Sequence, residues 1–600
     1  MSSEHVPSVE TEVERPREQA GAGTPADGSA GASAKAPTDE VKLDPLRWAA
    51  LLVLLVSAFM DLLDGTIANV AAPSMQRELG AGYSAIQWIL VGYQLAFALL
   101  LILGGRLGDI FGRKKVFLLG VAGFTLTSLT AGLAQEPWQL VVSRVLQGAF
   151  SGIMVPQVLS IIHVTFSNKE RGTAFALHGL VGGLAATLGL ALGGLMVQWN
   201  LFGLDWRLIF LVNVPVGLFG LFYGSKVITE SKAPQALRLD VTGVLLATVG
   251  MLMLIFPLLQ GREMGWPTLG FVSMAGSLLV LTGFVLWQKH KIRKDGSPLV
   301  ELGLFRTRSF SSGLAVNLIF YIGMGMFTIG WTLYMQIGMG WSPMRAGLTS
   351  LPFCLGAFMT ATTSVMILVP KFGRKALQVG AVVLVAGLGA YIWVAGEYGS
   401  QVTSWHLAIP LFLIGLGFGT VATPLPLIVT SEVPHKDAGS ASGLVNTNTQ
   451  LGFAIGGALV SVVFFGGLVG NTGAAVDDQA PQLRKDLVAV AGLSPERADE
   501  AVAAYRTCTV DRAGEKDMAI VPESCSSATV LSEPAVAEAL EPYAKDTTGV
   551  SFAASFQTLL WTFIGITAVV FFLLFAVPRR LRQDGPEDAV TEERAAGATA

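Results

Sequence analysis

The segment Ile110-Phe111-Gly112-Arg113-Lys114 separates two long apolar runs, and a close copy, Lys371-Phe372-Gly373-Arg374-Lys375, follows 261 residues later. A second pattern, Leu188-Gly189-x-x-x-Gly193-Gly194, returns as Leu451-Gly452-x-x-x-Gly456-Gly457 after 263 residues. In each half of the chain the first pattern follows the second apolar run, and the second pattern lies in the fifth. Because both position and order match, the sequence predicts two six-helix repeats that run in the same direction.

The composition around these repeats is that of a membrane protein. The chain has 600 residues, of which 52% are hydrophobic and 14% charged, whereas a soluble domain has about 25% charged residues. A helix needs about 20 mostly apolar residues to cross a bilayer, and in lipid such a run must satisfy its own backbone hydrogen bonds. Fourteen runs of this kind predict an all-α integral membrane fold. They lie near 47–70, 86–106, 115–134, 138–160, 172–197, 207–226, 240–260, 268–287, 310–335, 347–369, 376–396, 405–430, 440–467 and 552–577.

The apolar runs also divide the chain into domains. Two of them, 240–260 and 268–287, lie between the repeats and are predicted to be inserted helices. A long polar segment, 471–549, interrupts the second repeat. The predicted organisation is a disordered tail 1–45, a six-helix bundle 46–228, a linker with two extra helices 229–300, a second six-helix bundle 301–577 and a second disordered tail 578–600.

Loop charges predict the orientation in the membrane. Lys and Arg are concentrated in one alternating set of loops, which includes Arg113, Lys289 and Arg374. The opposite short loops hold only Arg77, Arg207, Arg262 and Arg345. By the positive-inside rule, both termini are predicted to be cytoplasmic and residues 471–549 extracellular. We therefore expect a multi-pass protein of the cell membrane.

The cysteines fit this topology. Cys508 and Cys525 both lie in the polar segment 471–549, and Cys354 lies in an apolar run. A disulfide is plausible on an oxidising face, where a loop of this length would gain about 3 kcal/mol in the chain-entropy model. The sequence predicts a Cys508–Cys525 bridge.

Two carboxylates in the first helix are candidates for chemistry. Asp61 and Asp64 are three residues apart and share one helix face. An intramembrane carboxylate costs about 3 kcal/mol at mid-helix and usually marks an ion or substrate path. Arg144, Gln147 and Ser151 form a polar stripe on the fourth helix, so Arg144 is a candidate partner. The alternative interpretation is structural: these groups could brace the bundle, or an Asp could lie near the interface.

A cavity can be predicted from the ninth and thirteenth runs. Phe327, Trp331 and Tyr334 lie on one face of the ninth run, and such a wall suits lipophilic or cationic ligands. Stripes of this kind also pack against other helices or lipid. The predicted cavity residues are Gln147, Phe327, Trp331, Tyr334, Asn446 and Gln450.

Several function classes find no support in the sequence. A net charge of −3 suggests no nucleic-acid partner. We find no phosphate-binding P-loop, metal-ligand cluster or hydrolase nucleophile motif, so we expect neither an enzyme nor a cofactor.

Four stretches resemble a known family, the fourteen-span drug:proton antiporters of the major facilitator superfamily, over roughly residues 45–470 and 550–580. Ile110 departs from its loop pattern, which usually has a basic residue there. The stretches are Gly105-Arg106-Leu107-Gly108-Asp109-Ile110-Phe111-Gly112-Arg113-Lys114-Lys115, Leu63-Asp64-Gly65-Thr66-Ile67-Ala68-Asn69-Val70-Ala71-Ala72-Pro73, Arg144-Val145-Leu146-Gln147-Gly148, and Asp205-Trp206-Arg207 through Asn213-Val214-Pro215. A fifth stretch, Gly189-Leu190-Ala191-Leu192-Gly193-Gly194, meets the family's helix-five pattern only in part, because it has Leu190 where proline is usual.

The resemblance implies a proton-coupled exporter of small amphipathic drugs or secondary metabolites that works by alternating access. It assigns proton coupling to Asp64, with Asp61 and Arg144 beside it. It implies a gating motif at Gly105, Gly108, Asp109, Gly112, Arg113 and Lys114, and an interdomain motif at Gly189, Gly193 and Gly194. The implied partners are a small molecule, protons and the lipid bilayer, for a bacterial monomer. Two alternatives remain: another cargo (a lipid, siderophore, sugar or amino acid), or a membrane scaffold or sensor.

Overall fold

The computed structural model describes residues 45–577, apart from 233–237, 262–263, 434–437 and 516–520. The predicted terminal tails, except for residue 45, lie outside these ranges. Within them every regular element is a helix. Thirteen helices in the described part of the chain are long and apolar enough to cross a membrane, and the remaining predicted run, 172–197, lies within the helix Asn168–Trp199. The predicted all-α membrane fold is confirmed.

The long helices follow one another along the chain in three groups. Those of the first half are α1 Arg47–Leu79, α2 Tyr83–Phe111, α3 Arg113–Gly132, α4 Pro137–Thr165, α5 Asn168–Trp199 and α6 Asp205–Val227. The inserted pair is α7 Val241–Gln260 and α8 Thr268–Asp295. The second half contains α9 Arg308–Gly338, α10 Pro343–Phe372, α11 Arg374–Gln401, α12 Ser404–Thr430, α13 Ala438–Ala489, α14 Pro495–Gly514 and α15 Pro534–Leu573.

The glycine patterns of the sequence explain how each half packs. Gly193 of α5 lies against the backbone of Ile67 in α1, and Gly456 of α13 lies in the same way against Ile322 in α9. The glycine that follows each of them faces the opposite half: Gly194 meets Pro343 and Met344, and Gly457 meets Val91. Small residues let helix backbones approach closely in lipid. The sequence repeat is therefore also a repeat of packing.

The inserted pair is held at one end by a buried acid. Asp240 caps α7 by accepting a hydrogen bond from the backbone of Gly243 at 3.0 Å, and it also accepts bonds from Trp287 and Gln288 at 2.8 Å each. Burial alone would raise the pKa of Asp240, but these hydrogen bonds hold the pKa below its ordinary value. Gln288 in turn accepts from the backbone of Leu299 at 2.7 Å, so α8 positions the chain that leads to the second half.

The polar segment 471–549, which we call the cap, consists largely of helices. Its predicted borders fall inside helices, because α13 continues without a break to Ala489 and α15 begins at Pro534. The cap has its own core, which includes Leu483, Leu487 and Tyr505. Cys508 and Cys525 are joined in a disulfide in the structure. We call the end of the bundle that carries the cap the cap end, and the opposite end, with Gly112, the motif end.

Candidate functional site

The loop at the motif end is shaped by close contacts to two other elements. Gly112 separates α2 from α3 with a φ of 109°, a backbone conformation that favours glycine. A Cβ on Gly108 would lie 1.8 Å from Oε1 of Gln157 in α4, so a larger residue there would have to displace that side chain. Glu230, after α6, accepts hydrogen bonds from the backbone of Lys114 at 3.1 Å and of Lys115 at 3.3 Å. These bonds satisfy free N–H groups at the start of α3.

The charged residues of this loop make defined contacts. Arg113 donates to Asp109 at 2.9 Å, and both side chains are partly exposed. Lys114 donates to the carbonyl oxygen of Ser225 at 2.7 Å. Arg106 donates to the carbonyl oxygen of Pro298 at 2.7 Å, which connects α2 to the linker between the halves. Gly105, in contrast, has more room, since Pro156 is its nearest neighbour. The loop therefore joins α2, α3, α6 and the linker.

A buried ion pair lies at the middle of the first half. Asp64 of α1 accepts a hydrogen bond from Arg144 of α4 at 2.5 Å, and the two side chains are almost fully buried. Asp64 also accepts bonds from Asn213 at 2.8 Å and from Gln147 at 3.1 Å. All three donors are N–H groups, which match an ionised carboxylate. Arg144 further donates to the carbonyl oxygen of Ile89 at 3.1 Å.

Asp61 lies one turn earlier and has a different set of partners. It accepts hydrogen bonds from the hydroxyl of Tyr93 at 2.7 Å and from Ser151. A hydroxyl can donate or accept, so Asp61 can keep its partners whether it is charged or neutral. The ring of Tyr93 also lies 4.2 Å from the guanidinium of Arg144, a cation–π contact. Tyr93 therefore contacts both Asp61 and the Asp64–Arg144 pair.

A cavity of about 430 Å³ lies between the halves beside this cluster. Asp61 and Arg144 border it from the first half, whereas Asp64 does not. Its wall from the second half is rich in aromatic rings. The second half contributes Tyr321, Phe327, Trp331, Phe353, Phe418 and Phe453, the first half contributes Tyr93 and Phe97, and the amide side chains are Asn69, Gln94, Asn446 and Gln450.

Most of the predicted cavity residues line this space, but two do not. Phe327, Trp331, Asn446 and Gln450 line it. Gln147 lies in the buried cluster instead, where it donates to Asp64 and to Ser128. Tyr334 is directed into the second half, where its ring stacks on Phe556 with centroids 5.3 Å apart. Both residues were predicted to line the cavity only because they share a helix face with other candidates. The sequence does not show which neighbouring helix packs against that face.

Three residues of the cluster received no role from the sequence. Tyr93 and Ser128 are polar residues in otherwise apolar helices and gave little signal. Asn213 belongs to a stretch that resembled the known family, so that stretch carried a signal for a site residue. The structure shows its use, because the Asn213 amide bonds the Asp64 carboxylate.

The cavity is closed toward the cap end. Gln336 of α9 donates to the carbonyl oxygen of Val70 in α1 at 2.8 Å, and Gln87 of α2 donates to that of Gly457 in α13 at 3.1 Å. The predicted interdomain glycines divide by role: Gly194 contacts the second half, whereas Gly189 and Gly193 pack on α1. Asn446, near the motif end of α13, lines the cavity and is exposed. We infer that the cavity opens toward the motif end.

Comparison with known proteins agrees with this architecture. A family model of the Major Facilitator Superfamily matches residues 54–457, more than half of the chain. The chain belongs to that family. It is thus a multi-pass membrane protein of a family of small-molecule transporters.

Several similar proteins are named as transporters, export proteins or resistance proteins. The chain is 41% identical over 538 residues to a probable actinorhodin transporter of Streptomyces coelicolor. The match covers 90% of this chain and 93% of the relative. The chain is 34% identical over 425 residues to a tetracenomycin C resistance and export protein of Streptomyces glaucescens, covering 69% of this chain and 76% of the relative.

Solved structures show the same fold. A bacterial homologue of the human lysosomal transporter Spinster, in an inward-facing and occupied conformation, matches with a TM-score of 0.54 and 16% identity. The match covers 90% of this chain and 99% of that one. At this identity the likeness supports the fold and nothing finer.

Proposed function

We propose that this protein exports planar, amphipathic aromatic molecules, such as drugs or secondary metabolites, in exchange for protons. One observation carries the proposal: Asp61 and Arg144, which is paired with the buried Asp64, border an aromatic-lined cavity between the two halves. The relatives named as a probable actinorhodin transporter and as a tetracenomycin C resistance and export protein support this class of cargo, and the second also supports the direction of transport.

The ion pair supplies a two-state element. A proton on Asp64 removes the charge that compensates Arg144, and an uncompensated buried charge costs about 3–5 kcal/mol. Protonation therefore requires that Arg144 find new partners, and the packing of α4 against α1 changes with it. A proton that enters from the cap side would favour one state of the transporter, and its loss at the motif side would restore the other.

Asp61 is the group through which protons and cargo would communicate. It borders the cavity, whereas Asp64 does not. Its hydroxyl partners Tyr93 and Ser151 can turn to serve either protonation state. Asp61 would pass the proton between the cavity and the buried pair, and a cationic group on the cargo would favour its charged form. Proton and cargo then compete, which is the requirement for antiport.

The proposed direction of cargo transport follows from the predicted orientation of the protein in the membrane. With the motif end in the cytoplasm, as the loop charges predict, a cavity open toward that end takes cargo from the cytoplasm. The aromatic wall, which includes Phe327, Phe353 and Phe418, offers stacking surfaces for planar rings. We do not expect an enzymatic step, a cofactor or a nucleic-acid partner, and we propose that one chain is the working unit.

The orientation is tested by cysteine labelling. Lys115→Cys and Asp478→Cys place thiols at exposed positions of the motif loop and the cap. The native thiols interfere little, since Cys354 is buried and the other two form the disulfide. In intact cells an impermeant maleimide should label residue 478 and not residue 115. The reverse pattern would contradict the proposed direction.

The function is tested by flux in proteoliposomes. An imposed proton gradient should drive doxorubicin or ethidium uphill against the direction of proton flow, and an ionophore that dissipates the gradient should stop it. A sugar and an amino acid serve as non-aromatic controls. Gradient-independent flux would contradict coupling, and transport of the sugar without the aromatic compounds would contradict the assigned cargo.

A further inference from the structure

A second cavity, of about 500 Å³, lies between the cap and the cap end of the bundle. Arg77 of α1, Gln336 of α9, Thr472 of α13 and Arg512 of α14 contribute to its wall. Gln336 is also the residue whose hydrogen bond to Val70 seals the central cavity. The second cavity is therefore separated from the central one and lies on the cap side of that seal.

The charge of this cavity is of one sign. Two guanidinium groups, from Arg77 and Arg512, border it, and no carboxylate occurs among its described lining residues. Nearby acids have other partners: Glu78 pairs with Arg207, and Asp477 pairs with Arg506. Asp205 also lies in the electrostatic range of Arg77, but it does not line the cavity. Both arginines are exposed residues and therefore lie at the mouth of the cavity. A cleft bordered by one sign of charge raises the local concentration of oppositely charged ligands.

The remaining wall combines oxygen acceptors with an apolar surface. The hydroxyls of Thr472, Thr509 and Thr548 donate to carbonyl oxygens of their own helices, so their lone pairs remain available to a ligand's donors. Leu468 and Phe552 supply apolar surface. Guanidinium groups bind carboxylates or sulfonates through paired N–H donors. The wall therefore fits an organic anion with an apolar body.

The cap places its arginine through several fixed contacts. Arg512 lies one turn beyond Cys508, which is joined to Cys525. The helix that carries both, α14, is held to α15 by a hydrogen bond of 3.0 Å between the hydroxyls of Tyr505 and Thr547. Without the cap, the bundle would offer only Arg77 to an anion.

We propose that the cap and the bundle together form a second ligand site, in which Arg77 and Arg512 bind the acidic group of an amphipathic organic anion. The site differs in chemistry from the central cavity, which is bordered by Asp61. It does not depend on the proposed proton coupling, because it requires only that the cap end be closed as in this structure.

The test uses the full chain in lipid nanodiscs and naphthalene-2-sulfonate as the probe, with binding measured by calorimetry against empty nanodiscs. We expect the Kd of the wild-type protein to rise about tenfold or more in Arg77→Gln/Arg512→Gln, because two charge-assisted contacts are lost. Arg497→Gln is the matched control, since Arg497 lies on the cap outside the cavity and pairs with Glu533. Its Kd should equal that of the wild type.

Two further arms separate this site from the central one. Asp61→Asn should leave the Kd for the sulfonate unchanged, and a naphthylmethylammonium ion should bind the double variant no more weakly than the wild type. The sulfonate should also raise the Tm of the wild type but not that of the double variant. An equal Kd in the wild type and the double variant, or an equal loss in Arg497→Gln, would overturn the proposal.

Discussion

The two halves of this transporter share their packing but not their chemistry. Equivalent glycine contacts relate Ile67 to Ile322, a shift of 255 residues, which places Ile319 opposite Asp64. In the same way, Gly148 packs on the carbonyl oxygen of Tyr93 and Gly415 on that of Phe353.

The charged cluster has apolar counterparts in the second half. The shift of 267 residues from Gly148 to Gly415 places Leu411 opposite Arg144 and Ile414 opposite Gln147. Both Leu411 and Ile414 are buried. Membrane-embedded charge is expensive and is retained where it serves a path or a switch. The glycines therefore define the backbone of both halves, whereas at these compared positions the first half has charged and amide side chains and the second half has apolar ones.

The largest effect on export and stability is expected when charged residues of the first half are replaced by their apolar counterparts from the second half. Arg144→Leu alone leaves Asp64 buried without its cation, so export should be lost and stability should fall by about 3–5 kcal/mol. The double variant Asp64→Ile/Arg144→Leu removes both charges. It should regain most of the lost stability while export remains absent.

Thermal unfolding in nanodiscs and gradient-driven flux measure the two quantities separately. Leu411→Met, a volume-conserving change at the counterpart position, is the control and should change Tm little. The ion pair would have no switching role if the double variant exported cargo uphill like the wild type. The ion pair would make no contribution to stability if Arg144→Leu kept the wild-type Tm.

Glycine substitutions should affect both halves alike. A Cβ on Gly148 would lie 2.2 Å from the carbonyl oxygen of Tyr93, and one on Gly415 would lie 2.0 Å from that of Phe353. Gly148→Ala and Gly415→Ala should each destabilise by about 1–3 kcal/mol, because two helices must separate. Gly565→Ala, where a Cβ meets nothing within 4 Å, should not destabilise. If the unfolding temperature fell in only one of the two variants, Gly148→Ala or Gly415→Ala, the halves would not share their packing.

The two copies of the loop pattern should differ in transport rather than in stability. Arg113 pairs with Asp109, whereas Arg374 donates to the backbone carbonyls of Phe575 at 2.8 Å and Val577 at 3.2 Å. Asp109→Asn should slow export several-fold if this pair holds one state of the motif end. Its stability should change by no more than about 1 kcal/mol, because the pair is partly exposed.

Arg374→Gln is the matched variant in the second half. This substitution removes hydrogen bonds to backbone carbonyls and breaks no ion pair, so the rate of export should remain close to that of the wild type. Initial rates in proteoliposomes with equal protein content would settle both variants. A normal rate in Asp109→Asn, or an equal loss in Arg374→Gln, would remove the proposed difference between the loops.

Much of the fold could be predicted from the sequence because membrane spans are long apolar runs and the glycine patterns repeat. The membrane-spanning helices, the two inserted ones included, follow from these signals. The borders of the cap did not follow, since α13 crosses from apolar to polar residues without a helix break and continues to Ala489. Length and hydropathy show where lipid ends, but they do not show where a helix ends.

The site was predictable in its charges but not in its contacts. Asp61, Asp64 and Arg144 were identified because ionisable residues are rare in apolar helices. Asn213 and Tyr93 were not, because one amide or phenol in such a helix is unremarkable until its partner is known. The sequence also did not separate the roles of the two acids. Only the structure shows that Asp61 borders the cavity and that Asp64 does not.

The central claim, that Asp64 couples proton movement to export, is tested most directly by Asp64→Asn in proteoliposomes. Two quantities are compared: uphill export driven by an imposed proton gradient, and exchange of labelled for unlabelled cargo at equilibrium. Asparagine mimics the protonated acid and cannot release a proton, so uphill export should be abolished while protein folding is preserved. Exchange should persist if the loss lies in coupling alone. Asp61→Asn, measured beside it, should also strongly impair uphill export, since Asp61 passes the proton between the cavity and the buried pair. Uphill export by purified Asp64→Asn at near the wild-type rate would contradict the account.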